Sequence, residues 1–309
     1  MKTVAVLLPC YNEATTISKV VHDFRKELPE AAIFVYDNNS TDHSAELALK
    51  AGASVRHVSQ QGKGHVVRRM FQEIDGDIYV MVDSDDTYPP EEVHKLIAPI
   101  AAGEADMVVG DRLSSTYLAE NKRLGHGFGN ILVRGLINKL WRVKIHDVMS
   151  GYRVFSRRFV KTCPVLSNGF EIETEMTLHA LDKRLCIVEL PVRYRNRPQG
   201  SMSKLNTIND GFSVLAMIFN MFRFYRPFAF FNYIGILLGL ASALFFFPVL
   251  LEYFGTGQVP RFPTLIVACF LLTASLFSFG VALVLDALKK QSDQSFELMY
   301  ANADGRRHE

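Results

Sequence analysis

The sequence predicts an α/β fold, a Rossmann-like and mostly parallel sheet, followed by an interfacial amphipathic helix and two transmembrane helices. Three observations carry that expectation. Short β-branched runs alternate with helix-length segments up to about residue 110. Polar clusters follow three of those runs. Beyond Lys204 the composition turns apolar, a shift concealed in averages of 49% hydrophobic and 21% charged residues.

The strand candidates are Val4–Leu8, Ile33–Tyr36, Ser54–His57, Ile78–Val82 and Met107–Val109. Helical patterns lie between them at 15–28, 42–51, 64–75 and 90–102. Ser40, Thr41 and Asp42 offer N-cap oxygens, and Pro89, Pro90, Glu91 and Glu92 form a first helical turn. Farther on, a helix over 121–140, a strand at 152–155, a helix at 171–183 and a strand over 185–194 are expected. Glu171, Glu173 and Glu175 alternate in the second of these helices, either solvated or pairing with site arginines, and one of them is expected near the site.

From Leu205, the residues Ile208, Phe212, Leu215, Phe219 and Phe222 recur at spacings of three and four, one stripe of a helix. A core helix has the same period; the position just before an apolar run favours the membrane interface. Phe228–Leu251 and Thr264–Leu285 carry no formal charge and are long enough to span a bilayer. Arg223 and Arg226 precede the first span and Lys289 and Lys290 follow the second. The positive-inside rule then puts both ends in the cytoplasm, as a multi-pass protein of the cell (inner or plasma) membrane. The expected units are 1–203, an amphipathic helix 204–227, a two-helix hairpin 228–288 and a tail 289–309. The apolar run at the N-terminus is too short for a signal-peptide core, so the first domain is expected to stay cytoplasmic. Cys10, Cys163, Cys186 and Cys269 are scattered, with no metal-ligand or disulfide spacing. A net charge of +2 gives no argument for nucleic acid.

Ligands of such sheets bind at the carboxyl ends of the strands. The clusters there are Pro9–Glu13, Asp37–Asp42 and Asp83–Asp86. Glu13 and Asp37 suit a ribose hydroxyl or a base N–H. Gln61-Gly62-Lys63-Gly64 opens a helix, where glycines admit a ligand and Lys63 favours an anion. Asp83 and Asp85, two apart after a buried strand, can share one hard cation with substrate phosphates.

The runs PCYNE, YDNNSTD, GKG and VDSDD resemble family 2 glycosyltransferases of the GT-A fold. DVMSGYR at 147–153, then YRNR at 194–197, GSMSK at 200–204 and the paired spans narrow the likeness to the polyprenyl-phosphate glycosyltransferases, the GtrB-like and dolichol-phosphate mannose synthase group. The QxxRW motif of processive synthases is missing. The resemblance implies that Pro9, Tyr11, Glu13, Asp37, Lys63 and Asp83 bind the donor. It implies Asp85, with Asp83, as ligands of Mg²⁺ or Mn²⁺, and Asp147 as the essential acidic residue. Arg112, Arg123, Arg153, Arg197 and Lys204 fall to the phosphates. Thr87 stands where members often carry Gln, which puts one metal contact in doubt.

The implied reaction is an inverting transfer of a hexose from a nucleotide-sugar to a polyprenyl phosphate such as undecaprenyl phosphate, for the cell envelope. UDP-glucose or UDP-N-acetylglucosamine is the favoured donor and GDP-mannose the next. A homo-oligomer, a tetramer by resemblance, and a flippase partner are expected as well. A phosphomonoester is already mostly ionised near neutral pH, so it needs cations to place it more than a base. Asp147 is therefore expected to orient an arginine as much as to take a proton. His126 and His146 are weaker candidates for acids. A transferase for a neutral lipid and a non-catalytic scaffold of a flippase are the competing readings.

Overall fold

The structure, a computed structural model, describes residues 2–114, 126–169, 171–195, 219–220 and 222–304. Arg123, Arg197, Lys204 and most of the amphipathic stripe lie outside the described residues.

In the first unit, the strands are β1 (Val4–Cys10), β2 (Ala32–Asp37), β3 (Ser54–His57), β4 (Ile78–Met81), β5 (Met107–Asp111), β6 (Arg153–Ser156) and β7 (Ile187–Pro191). Among the described residues they form one seven-stranded sheet in the order β3-β2-β1-β4-β6-β5-β7. All pairings are parallel except those of β6, which runs antiparallel to β4 and β5. The helices are α1 (Ile17–Glu27), α2 (Ser44–Lys50), α3 (Lys63–Glu73), α4 (Val93–Ala102), α5 (His126–Trp141), α6 (Arg157–Thr162) and α7 (Ile172–Asp182). Pro90–Glu92, read as the start of α4, is a separate 3₁₀ turn.

Alternation along each strand divides the core in two. Val6, Leu8, Ile33, Val35, Ile78 and Val80 pack under α1, α2 and α4. Ala5, Leu7, Tyr36, Tyr79, Met81 and Met107 pack under α3, α6 and α7. Both faces are thus covered, as a parallel sheet requires. The carboxyl ends of β1, β2 and β4 stay open at one edge, and the polar clusters sit there.

The chain divides into one unit of residues 1–211 with 296–309, and a second of 212–295. The second contains α8 (Pro227–Thr256) and most of α9 (Phe262–Asp304). Both helices are long and apolar enough to cross a membrane. Only 17% and 22% of their apolar windows are buried, unlike a helix in a soluble core. They pair through the few polar residues they carry. Ser242 donates to the Ala268 carbonyl (2.7 Å), Ser275 to Gly235 (2.7 Å) and Ser278 to Phe231 (2.8 Å). Small residues and hydroxyls at a helix seam are the usual means of association in lipid. The described part of the expected tail, residues 289–304, is helical and continuous with α9, which no proline or glycine interrupts between Gly280 and Asp304.

Candidate active site

Three loops at the carboxyl edge are bolted together by polar side chains. Asn12 accepts from the Thr41 N–H (2.7 Å) and its own N–H donates to Ser40 Oγ (2.9 Å). The Glu13 N–H donates to Ser44 Oγ (2.8 Å). Thr16 donates to the Ser84 carbonyl (2.7 Å), and Ser84 Oγ to the Pro9 carbonyl (2.9 Å). Asn38 reaches the Gln61–Gly64 loop by accepting from the Gly62 N–H (2.7 Å). Asn12, Asn39 and Asp86 adopt positive φ, which Asn and Asp tolerate best among residues with a Cβ. One such residue stands in each of the three strand-end loops.

Within this frame Glu13 and Asp37 are buried, and Tyr11 is half-buried beside them. Asp37 Oδ2 accepts from the Ser40 N–H (3.2 Å), while Oδ1 is buried without a hydrogen-bond partner among the described residues. Asp85 is 3% exposed. Its Oδ1 accepts from the Thr87 hydroxyl (2.6 Å) and N–H (3.2 Å), so Thr87 orients the carboxylate.

Lys63 lies between Asp83 Oδ1 (2.6 Å) and Glu173 Oε1 (2.5 Å). Burial alone would depress its ammonium, but the two carboxylates outweigh burial and hold it above the ordinary lysine value. Of the three alternating glutamates, Glu173 is therefore the one at the site. Glu175 instead accepts from the backbone of Leu166 and Ser167. The GKG glycines serve packing as well. A Cβ on Gly64 would lie 2.0 Å from the Ser167 carbonyl oxygen, and one on Gly62 2.1 Å from that of Asn168. We expect Gly64→Ala to destabilise the protein by about 1–3 kcal/mol, since backbone cannot yield as a side-chain tip does. Thermal unfolding of the purified variant checks this.

The loop 146–151 borders the same site. A Cβ on Gly151 would fall 2.3 Å from Asp83 Oδ2, so this glycine lets the loop lie against the carboxylate. The Gly151 N–H donates to Tyr88 (3.0 Å), whose ring meets Tyr152 and Tyr194 edge to face. Asp147 is fully buried, and its Oδ2 accepts from Arg112 Nε at 2.8 Å. Arg112 Nη2 also donates to the Met149 carbonyl (3.0 Å), and its guanidinium lies over the Tyr194 ring at 5.8 Å. Asp147 thus holds an arginine. His146 is exposed and its imidazole faces Asp111 at 3.7 Å. The His126 side chain lies outside the described residues.

Arg153 requires a correction. Expected to meet acceptor phosphate, it is fully buried on β6, donating to the carbonyls of Ser150 (2.9 Å) and Val148 (2.6 Å) and to Thr177 (2.9 Å). Burial lowers its basicity, partly offset by Glu173 and Asp147. Its role is to hold the loop that carries Asp147.

The donor set at β4 fits a hard divalent cation. Asp83 and Asp85 supply carboxylate oxygens, and among the described residues no cluster of three His, Cys, Asp or Glu forms a closed cage. Such a pair suits Mg²⁺ or Mn²⁺ completed by substrate phosphates and water.

Comparison with known proteins agrees with this geometry. The profile of "Glycosyl transferase family 2" matches residues 5–163. Glycosyltransferase AglJ of Haloferax volcanii is 34% identical over 233 residues, 75% of this chain and 76% of that protein. The dolichyl-phosphate hexose transferase of the same organism is 31% identical over 62% of this chain and 83% of its own. Among solved structures, glucosyl-3-phosphoglycerate synthase of Mycobacterium tuberculosis, in complex with Mn²⁺, UDP and glucosyl-3-phosphoglycerate, has a TM-score of 0.57 at 23% identity, covering 72% of this chain and 80% of that one. That likeness is one of fold, and it makes the sheet domain GT-A-like.

Proposed function

We propose that this chain, which belongs to glycosyl transferase family 2 and is related to polyprenyl-phosphate sugar transferases, moves a hexose from a UDP-sugar onto a polyprenyl phosphate at the cytoplasmic membrane face. One observation carries the reading. The loop bearing Asp147, the partner of Arg112, lies against Asp83, so the candidate cation ligand and an oriented guanidinium stand close together.

The roles follow from the chemistry. Asp37 and Glu13 receive the nucleoside, and the unpartnered Asp37 Oδ1 has an acceptor to offer it. Asp85 and Asp83 would hold Mg²⁺ or Mn²⁺, which when bound would supply positive charge against the leaving diphosphate. Lys63 and Glu173 fix Asp83. Arg112, set by Asp147 and Tyr194, binds the acceptor phosphate in the planar manner arginine favours. The phosphate oxygen attacks the anomeric carbon from the face opposite the leaving group, so the configuration inverts. Arg123, Arg197 and Lys204 complete the phosphate contacts in this reading.

The paired apolar helices and the basic residues that flank them support a membrane hairpin with both ends cytoplasmic. UDP-glucose and UDP-N-acetylglucosamine are the favoured donors, GDP-mannose the next. A panel of labelled nucleotide-sugars offered to the purified chain with undecaprenyl phosphate tests the donor. Label from a UDP-hexose, requiring Mg²⁺ or Mn²⁺ and lost with a chelator, is expected. Label from GDP-mannose alone would overturn the donor assignment, and transfer unaffected by the chelator would overturn the cation role.

A further inference from the structure

The loop 146–151 has its backbone held from both ends, and one of the groups that holds it stands in no motif of the sequence. Glu189 is the only charged residue of β7, in Ile-Val-Glu-Leu-Pro. Its carboxylate accepts from the N–H of His146 (3.0 Å to Oε1, 2.9 Å to Oε2) and from the N–H of Asp147 (2.9 Å). Burial raises its pKa above the usual carboxylate value, and these two N–H groups oppose that rise. Two successive backbone N–H groups converging on one carboxylate make an anion-binding nest, with the anion supplied by the protein.

The far end of the loop is held by opposite chemistry. Arg153 takes the carbonyls of Val148 and Ser150, and Arg112 that of Met149. Strand register makes the arrangement a unit. Val109 pairs with Glu189 on one side and with Arg153 on the other, so the two side chains stand in one row on one face of the sheet. A carboxylate therefore grips the N–H groups and guanidiniums grip the carbonyls of the same short segment. Asp147 sits between them.

We infer that Glu189 is a positioning residue for the transfer reaction. It fixes the backbone of His146 and Asp147 so that the Asp147 carboxylate meets Arg112 in one geometry. The functional part of this inference rests on the proposed transfer reaction; the structural part does not. Without Glu189 the N–H groups of His146 and Asp147 lose their shared acceptor, and hydrogen bonds to a charged group are among the stronger ones. Glu189 lies in β7, away from the β1, β2 and β4 ends where the donor is placed. Its loss should therefore lower turnover and leave donor affinity intact.

The experiment compares the full-length wild type with Glu189→Gln and Glu189→Ala in two measurements. Hydrogen exchange of a peptide covering 143–152 reads the clamp without any turnover. Exchange should quicken in both variants, more in the alanine one, with the β1 and β4 peptides unchanged. Steady-state transfer, normalised to the number of sites that bind Mn²⁺ and UDP, reads the consequence. The expected loss in kcat is about ten-fold for Glu189→Gln and about a hundred-fold for Glu189→Ala, with the donor KM unchanged. Unchanged exchange in both variants would overturn the clamp. Faster exchange with kcat within two-fold of wild type would overturn its functional role, as would a loss of activity matched by a loss of nucleotide-binding sites in the glutamine variant. If the wild type itself transfers no sugar to a lipid phosphate, the proposed reaction fails, and the exchange result still decides the clamp.

Discussion

Asp85→Ala is expected to lower transfer by about a thousand-fold or more, the scale of losing a group that stabilises charge in the transition state. Asp85 is buried, its carboxylate is aimed by Thr87, and Asp83 cannot replace it because Lys63 already occupies one Asp83 oxygen. The loss should be accompanied by weaker Mn²⁺ binding, read by electron paramagnetic resonance. Thr87→Val should produce a smaller fall, about ten-fold, because the carboxylate remains and loses only its orienting hydroxyl. Turnover of Asp85→Ala within ten-fold of wild type would remove Asp85 from the cation site.

Asp147→Asn carries the second large effect, a fall of about a hundred- to a thousand-fold in kcat. The substitution keeps the shape and removes the charge that faces Arg112 at 2.8 Å. A half-buried arginine that loses this carboxylate reorients or draws in water, and a misplaced guanidinium no longer sets the acceptor phosphate. The pH profile separates the two meanings of the loss. An orienting role predicts that the deficit persists at high pH. A base role predicts that it shrinks as hydroxide replaces the lost acceptor. Both oxygens of Asp147 already accept hydrogen bonds, from Arg112 and from the Met149 N–H, which favours the first outcome.

What the sequence made legible was mostly local. Strands β1 to β5 announce themselves as short β-branched runs, and the polar residues after β1, β2 and β4 fall where a parallel sheet opens. Asp147 was within reach because its motif is contiguous. Arg153 was misread for the same reason. An arginine six residues beyond Asp147 looks like part of a phosphate site, and only the fold shows that Thr177 and Met107, from α7 and β5, enclose it.

Glu173 was singled out with two neighbours, but its partner Lys63 lies 110 positions away. Helical spacing could not choose among the three. Glu189 gave one faint signal, a lone carboxylate in an apolar strand. Its significance depends on a register with β5 that no local pattern encodes. The end of the second apolar span was placed where hydropathy falls, whereas helical bonding carries α9 on through Asp304.

The central claim is that the acceptor is a lipid phosphate, and one comparison tests it most directly. The purified full chain is offered a labelled UDP-hexose and Mg²⁺ with undecaprenyl phosphate, with undecaprenol, and with diacylglycerol, in parallel. The account predicts label in the undecaprenyl phosphate product alone, because Arg112 and its neighbours select an ionised phosphate. Label in undecaprenol or diacylglycerol, with none in the phosphate lipid, would contradict it.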